Sequence, residues 1–249
     1  MDYPLEDFQG LGNTKPIHKS FKYGLSSKAS EVCGVFVFNE SFYDYNFIEL
    51  ENLNLTNPNS FNISNKEFYK YYFDNRIISL FHTHIIDSSD LSDIDKSISN
   101  SLNLPSYVFS IKSKSSCLYY PKSFKPRPLK NRIFIPFFQD CVSYIKDFYL
   151  LNFKINLSDH IFNWARSLNG SNDRLLNEIE NLFFEVNINE KKYGDLIVFY
   201  PDISPYYHLG VVDKNQSYSH HPITSMPSTQ FFTNSLVNKV YKIYRYKEQ

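Results

Sequence analysis

The stretch IISLFHTHIIDSSDLSDIDKSISNSLNL spans residues 77–104, and its reading decides the fold of the first half of the chain. IISLFHTH, residues 77–84, is rich in β-branched and apolar residues, which predicts a buried strand. The segment that follows places Leu91, Ile94, Ile98 and Leu102 at helical spacing, with Ser89 or Asp90 as the expected cap. A strand running into a helix confines the residues between them to a short turn. His82 and His84 are i and i+2 on the strand, so both imidazoles leave one face. Ser92 and Asp95 are i and i+3 on the helix and share a face as well. Seven residues separate His84 from Ser92, enough to turn and aim the helix face back at the histidines.

Two neutral imidazoles and one carboxylate suit Zn2+, and three protein ligands leave a fourth position for water. His82, His84 and Asp95 are therefore the expected metal ligands. A hydrolytic site also needs a general base and a donor for the developing oxyanion. Ser92 can supply the donor, and Glu31, entering the strand EVCGVFVF, is the upstream carboxylate chosen as base.

Upstream, residues 31–53 read as two strands joined by a polar turn, and NKEFYKYYFDNR, residues 65–76, has helical spacing of aromatics. SYVFSIKSKSSCLYY looks like a closing hairpin. The run PKSFKPRPLKNR, residues 121–132, holds three prolines and five basic residues with no apolar period, and reads as a linker. The expected architecture is α+β in two domains, 1–120 and 133–249.

The second half offers a different chemistry. Asp140 precedes Cys141 at the start of a predicted helix, where the helix terminus lowers a thiol's pKa. NDRLLNEIENLFFEV, residues 172–186, reads as a further amphipathic helix, and GDLIVFY, HLGVV, SYSHH and VYKIYRY as short strands. A nucleophile needs a base, and the base an orienting group. His208 opens the strand HLGVV, and His220 lies on the return strand, where the two can meet. Neighbours on a strand point oppositely, so His220 and His221 cannot both serve; the hairpin register decides.

Composition bounds these readings. Of 249 residues, 42% are apolar and 18% aromatic, enough for packed interiors. Charge is balanced at 26 basic against 26 acidic residues, which gives no reason to expect nucleic acid as a partner. Cys33, Cys117 and Cys141 form an odd set without framework spacing, consistent with a reducing cytoplasm. No apolar run is long enough to span a bilayer, so no membrane span is expected.

Glu31 before Cys33-Gly34, then His82-x-His84, seven residues, Ser92, two residues and Asp95 resembles the motif of JAMM (Mov34/MPN) zinc metallopeptidases. Ile85 stands where many members have proline. Asp140-Cys141, then GDLIVF, then His208-Leu-Gly-Val-Val and a further histidine resembles NlpC/P60 cysteine peptidases, whose spacing favours His220 as the third residue. Pro136 and Phe137 depart from the aromatic and glycine usual before the cysteine in phage members. The two motifs in this order resemble the tail tip assembly protein K family of long-tailed bacteriophages, over nearly the whole chain, with Asp147 and Tyr149 among the matching positions.

The resemblance implies a peptidase with Zn2+ as cofactor. Glu31, Ser92, Cys141, His208 and His220 would be catalytic, and peptidoglycan stem peptides and other phage tail tip proteins would be the partners. It places the chain in the host cytoplasm during assembly and then at the virion tail tip. An assembly factor with one or both folds inactive, or a bacterial cell-wall hydrolase, are the alternatives.

Overall fold

The computed structural model describes residues 15–26, 30–39, 44–54, 56–58, 60–63, 65–74, 76–125, 128–132, 134–135, 138–157, 172–200, 207–222 and 226–248. These residues are mixed α+β, with two sheets and several helices, and divide into two compact units between Lys125 and Pro126. Pro136 and Phe137 lie outside the described residues.

The first unit runs α1 (Lys15–Ser26), β1 (Cys33–Asn39), β2 (Asp44–Leu50), α2 (Asn65–Tyr72), β3 (Ile77–His84), α3 (Asp93–Leu102), β4 (Ser106–Ser110) and β5 (Ser116–Tyr119). Its sheet has the order β2-β1-β3-β4-β5. Neighbours are antiparallel except β3 and β4, which are parallel. Parallel neighbours need a crossover, and α3 supplies it. The central strand β3 is buried along its whole length, as its apolar run requires.

Strand alternation gives this sheet two cores. On one face Phe36, Phe47, Phe81 and Tyr107 form a cluster of rings, to which α1 adds Phe21 at 4.7 Å from Phe109. Gly24 lets α1 come this close, since a Cβ there would sit 2.7 Å from Thr83 Cγ2. On the other face Cys33, Val35, Leu80 and Phe68 pack together. His82 pairs with Cys33 on one side and Val108 on the other, so it belongs to this second face.

The expected cap of α3 is corrected. Its N-cap is Ser92, not Ser89 or Asp90, and its buried residues are Asp95 and Ser99. Ile94 and Ile98 are exposed, Ile94 to 71%. The helix is held by its cap and its crossover position, and it turns polar groups inward.

The second unit runs α4 (Cys141–Phe153), α5 (Asn172–Leu182), β6 (Phe183–Val186), a short 3-10 turn (Ile188–Glu190), β7 (Leu196–Phe199), β8 (His208–Asp213), β9 (Ser217–His220), β10 (Ser228–Phe231), α6 (Asn234–Val237) and β11 (Val240–Tyr246). Its antiparallel sheet has the order β10-β9-β8-β7-β11-β6. The predicted helix over 172–186 ends at Leu182, because Phe183–Val186 pairs with β11 instead. Arg245 grips the fully buried Asp195 through two hydrogen bonds of 2.9 Å, and the Lys192 N–H donates to the same carboxylate at 2.7 Å, so the buried charge is paired and hydrogen-bonded. The Tyr149 hydroxyl donates to the Gly194 carbonyl, tying α4 to the turn before β7.

Candidate functional site

The carboxyl end of β3 and the start of α3 bring the first constellation together. His82 Nε2 lies 3.2 Å from His84 Nε2, His82 Nε2 lies 3.4 Å from Asp95 Oδ1, and His84 Nε2 lies 3.6 Å from Asp95 Oδ2. Ligands at zinc distances of about 2.0–2.1 Å in a tetrahedron stand about 3.3 Å apart. Each pairwise distance is close to that spacing, with the two histidines facing different oxygens of Asp95, and one ligand atom from each residue lies within 4.8 Å of the others. Among the described residues this is the group of at least three His, Cys, Asp or Glu side chains whose ligand atoms converge, all within 4.8 Å. The donor set fits a metal ion.

The surroundings hold these ligands in place. His84 Nδ1 meets the Ser88 carbonyl at 3.1 Å, so Nδ1 carries the proton and Nε2 presents its lone pair. The Phe61 ring lies 4.6 Å from the His82 ring, centroid to centroid. Asp95 Oδ2 accepts from the Ser92 backbone N–H at 2.9 Å and the Ser92 hydroxyl at 2.7 Å. Asp95 N–H returns a bond to Ser92 Oγ, which completes a capping box. Ser92, the expected oxyanion donor, has its hydroxyl on the aspartate. Asp95 Oδ1 accepts no bond from Ser92 and faces His82.

The charges match. Burial would raise the Asp95 carboxyl, but hydrogen bonding to His82 and His84 holds it well below the usual carboxylate range. Burial lowers His82. It also works against a charged His84, yet the contacts with Asp95 and Ser88 outweigh it and leave that imidazole raised.

Glu31 sits just before β1. Cys33 opposes His82, and Val32 bonds Thr83 twice, N–H to Oγ1 at 3.0 Å and carbonyl from N–H at 2.9 Å. Continuing that register sets Glu31 opposite His84. Burial pushes the Glu31 carboxyl up to about 7, a rise that His84 opposes and Asp95 reinforces. A carboxyl in this range is suited to exchange protons near neutral pH.

In the second unit, His208 Nε2 and His220 Nδ1 are 2.8 Å apart. The β8–β9 register opposes Gly210 to His220, which puts His208 and His220 diagonally on one face. A Cβ on Gly210 would stand 3.0 Å from Phe199 Cε2 and 3.4 Å from His220 Cβ, so glycine leaves room for the imidazoles to meet. The same register turns His221 to the other face, where it is fully buried between Phe134 and Tyr144. The hairpin thus selects His220 as the partner of His208.

Cys141 opens α4 with Asp140 as its N-cap, the carboxylate accepting from Ser143 N–H at 2.9 Å. Its thiol lies against the backbone N–H of Leu209, next to His208, and makes no hydrogen bond to either imidazole. Burial pushes the thiol up to about 12, and the charge of Asp140 adds to the rise. The N–H groups of Leu209, Val142 and Cys141 itself oppose it without prevailing. The sequence expectation of a thiol acidified by its helix is corrected here: burial in the core outweighs the helix terminus. Asp147 pairs with the buried Arg132, and Tyr149 holds Gly194, both inside the second unit.

Sequence reasoning missed Phe61 and Gln230. Phe61 lies on a connection with no period to mark it. Gln230 reaches His220 from β10, a strand with no apolar alternation. No protein-family profile and no curated protein sequence matches the chain.

Proposed function

We propose that this chain is a phage tail tip assembly protein with two peptidase units: a zinc-dependent JAMM-like amidohydrolase in the first, and an NlpC/P60-like thiol endopeptidase acting on peptidoglycan stem peptides in the second. The observation that carries the reading is the convergence of His82, His84 and Asp95, with ligand atoms within 4.8 Å of one another, and the electrostatic interaction of Glu31 with His84 and Asp95. His82, His84 and Asp95 would hold zinc, which supplies Lewis acidity toward a substrate carbonyl and toward water. Glu31 takes the proton of the attacking water and returns it to the leaving amine, a role its raised carboxyl suits. Ser92 keeps the Asp95 carboxylate in one orientation.

In the second unit His220 would orient His208, and His208 would take the Cys141 proton as the thiol attacks. The N–H groups of Cys141, Val142 and Leu209 surround the sulfur and favour negative charge there. A second reading, in which this unit serves tail assembly as a binding module, is favoured by the buried thiol pushed up to about 12.

Mass spectrometry of purified muropeptides incubated with the zinc-loaded protein, beside Cys141→Ala, separates the two. Cleavage lost in the variant supports the endopeptidase; intact muropeptides with a folded, zinc-loaded protein support the assembly role.

A further inference from the structure

The pair formed by His208 and His220 does not end at His220. In β10, Gln230 opposes Tyr218 and Ser228 opposes His220, so the Gln230 side chain lies diagonally beside His220 on the same face. Gln230 Nε2 is 3.3 Å from His220 Nε2 and also donates to Ser228 Oγ at 3.2 Å. Gln230 Oε1 accepts from the Tyr218 hydroxyl at 2.9 Å. A continuous chain therefore runs from Tyr218 through Gln230 and His220 to His208.

Each link in that chain fixes the next. An amide nitrogen has two hydrogens and no lone pair to offer, so His220 Nε2 must be the acceptor. A neutral His220 then carries its proton on Nδ1 and donates it to His208 Nε2. His208 Nε2 is thereby the acceptor, and the proton of His208 sits on Nδ1. Turning the Gln230 amide by half a rotation would reverse every step: Oε1 would accept from His220 Nε2–H, His220 Nδ1 would accept from His208 Nε2–H, and His208 Nδ1 would be left bare. The Tyr218 hydroxyl can donate or accept, so it tolerates both arrangements. No proton is gained or lost between them.

We propose that Gln230 is a positioning residue that sets, through His220, which ring nitrogen of His208 carries the proton. With its amide nitrogen toward His220, His208 presents an N–H at Nδ1, as a general acid does. With the amide oxygen toward His220, His208 presents a lone pair there, as a general base does, and it is in this arrangement that His208 can take the Cys141 proton, so the amide turns before the thiol attacks. The inference rests on the reading of His208 as the imidazole that serves Cys141, but the protonation pattern itself is independent of any turnover. Gln230 is exposed at the end of the chain of bonds, so it can turn without disturbing the core.

The test is long-range proton–nitrogen correlation NMR of the imidazole nitrogens in the full chain, at about pH 8.5, where ordinary histidines are neutral. The native protein is expected to show His208 protonated at Nδ1. Gln230→Glu, which can only accept, is expected to move that proton to Nε2. Gln230→Leu is expected to give both tautomers. The same His208 tautomer in all three proteins, or Nε2 protonation already in the native one, would overturn the proposal. If the tautomer shifts as stated while muropeptides stay intact, the peptidase reading fails alone and the relay stands.

Discussion

Ser92 begins the helix that carries Asp95 and also holds that aspartate's carboxylate, with its hydroxyl 2.7 Å from Oδ2 and its backbone N–H at 2.9 Å. One residue thus stabilises the helix end and orients a candidate metal ligand. Ser92→Ala is expected to destabilise the first unit by about 1 kcal/mol, as loss of an N-cap does. It is also expected to weaken zinc binding by roughly 10- to 100-fold. Ser92→Thr should restore most of both. Urea denaturation and competition with a chromophoric chelator would read the two effects separately.

Glu31 interacts electrostatically with His84 and Asp95 but stands outside the three converging donors. Glu31→Gln is therefore expected to retain stoichiometric zinc while losing amide hydrolysis by roughly 10²- to 10⁴-fold. Zinc content measured alongside turnover of a peptide or isopeptide substrate checks it. Loss of the metal would move Glu31 into the ligand set.

Acid should loosen the second unit before carboxylate titration begins. Burial holds His208 at about 3, with the charges of His220 and His221 adding to it; burial holds His220 at about 4 and His221 at about 3, the last helped by Arg132. Unfolded histidines take up a proton near about 6.5. Below that value the unfolded chain binds more protons than the folded one. Stability is therefore full above about pH 6.5 and falls as pH drops toward the folded values, by up to about 1.4 kcal/mol per pH unit for each histidine. The His221 ring is fully buried, and the backbone groups of Asp140 and Arg132 act against the lowering of its pKa without prevailing. His221→Leu removes this titrating group and should flatten the dependence. Urea midpoints across the range decide it.

Removing Arg245 leaves the carboxylate of Asp195 buried without its cation. Arg245→Ala is expected to cost about 3–5 kcal/mol, whereas Arg245→Ala with Asp195→Ala should recover part of the loss. Thermal denaturation of both proteins measures the difference.

Much of this arrangement was legible in the sequence. The β3 strand is local and has its expected bounds, Ile77–His84, and the following helix carries Asp95, though it is capped at Ser92 rather than at Ser89 or Asp90. What escaped depended on distant partners. Ile94 and Ile98 stand at helical spacing, but the helix turns Asp95 and Ser99 inward and leaves both isoleucines exposed. Phe183–Val186 continued a helical pattern until β11 offered a strand to pair with. Helix α1 was not foreseen, although Ile17 and Phe21 stand at i and i+4 and both are buried. The choice between His220 and His221 needed the register of a hairpin, set by left-handed residues at Asn215 and Gln216. The thiol of Cys141 obeys its burial rather than its helix, which no local pattern can report.

The central claim is that His82, His84 and Asp95 bind one zinc ion. Elemental analysis of the purified protein and of His84→Ala, each equilibrated with zinc and freed of excess, addresses it directly. One zinc per native chain and none in the folded variant is the expected result. Stoichiometric zinc in His84→Ala, or none in the native protein, would contradict it.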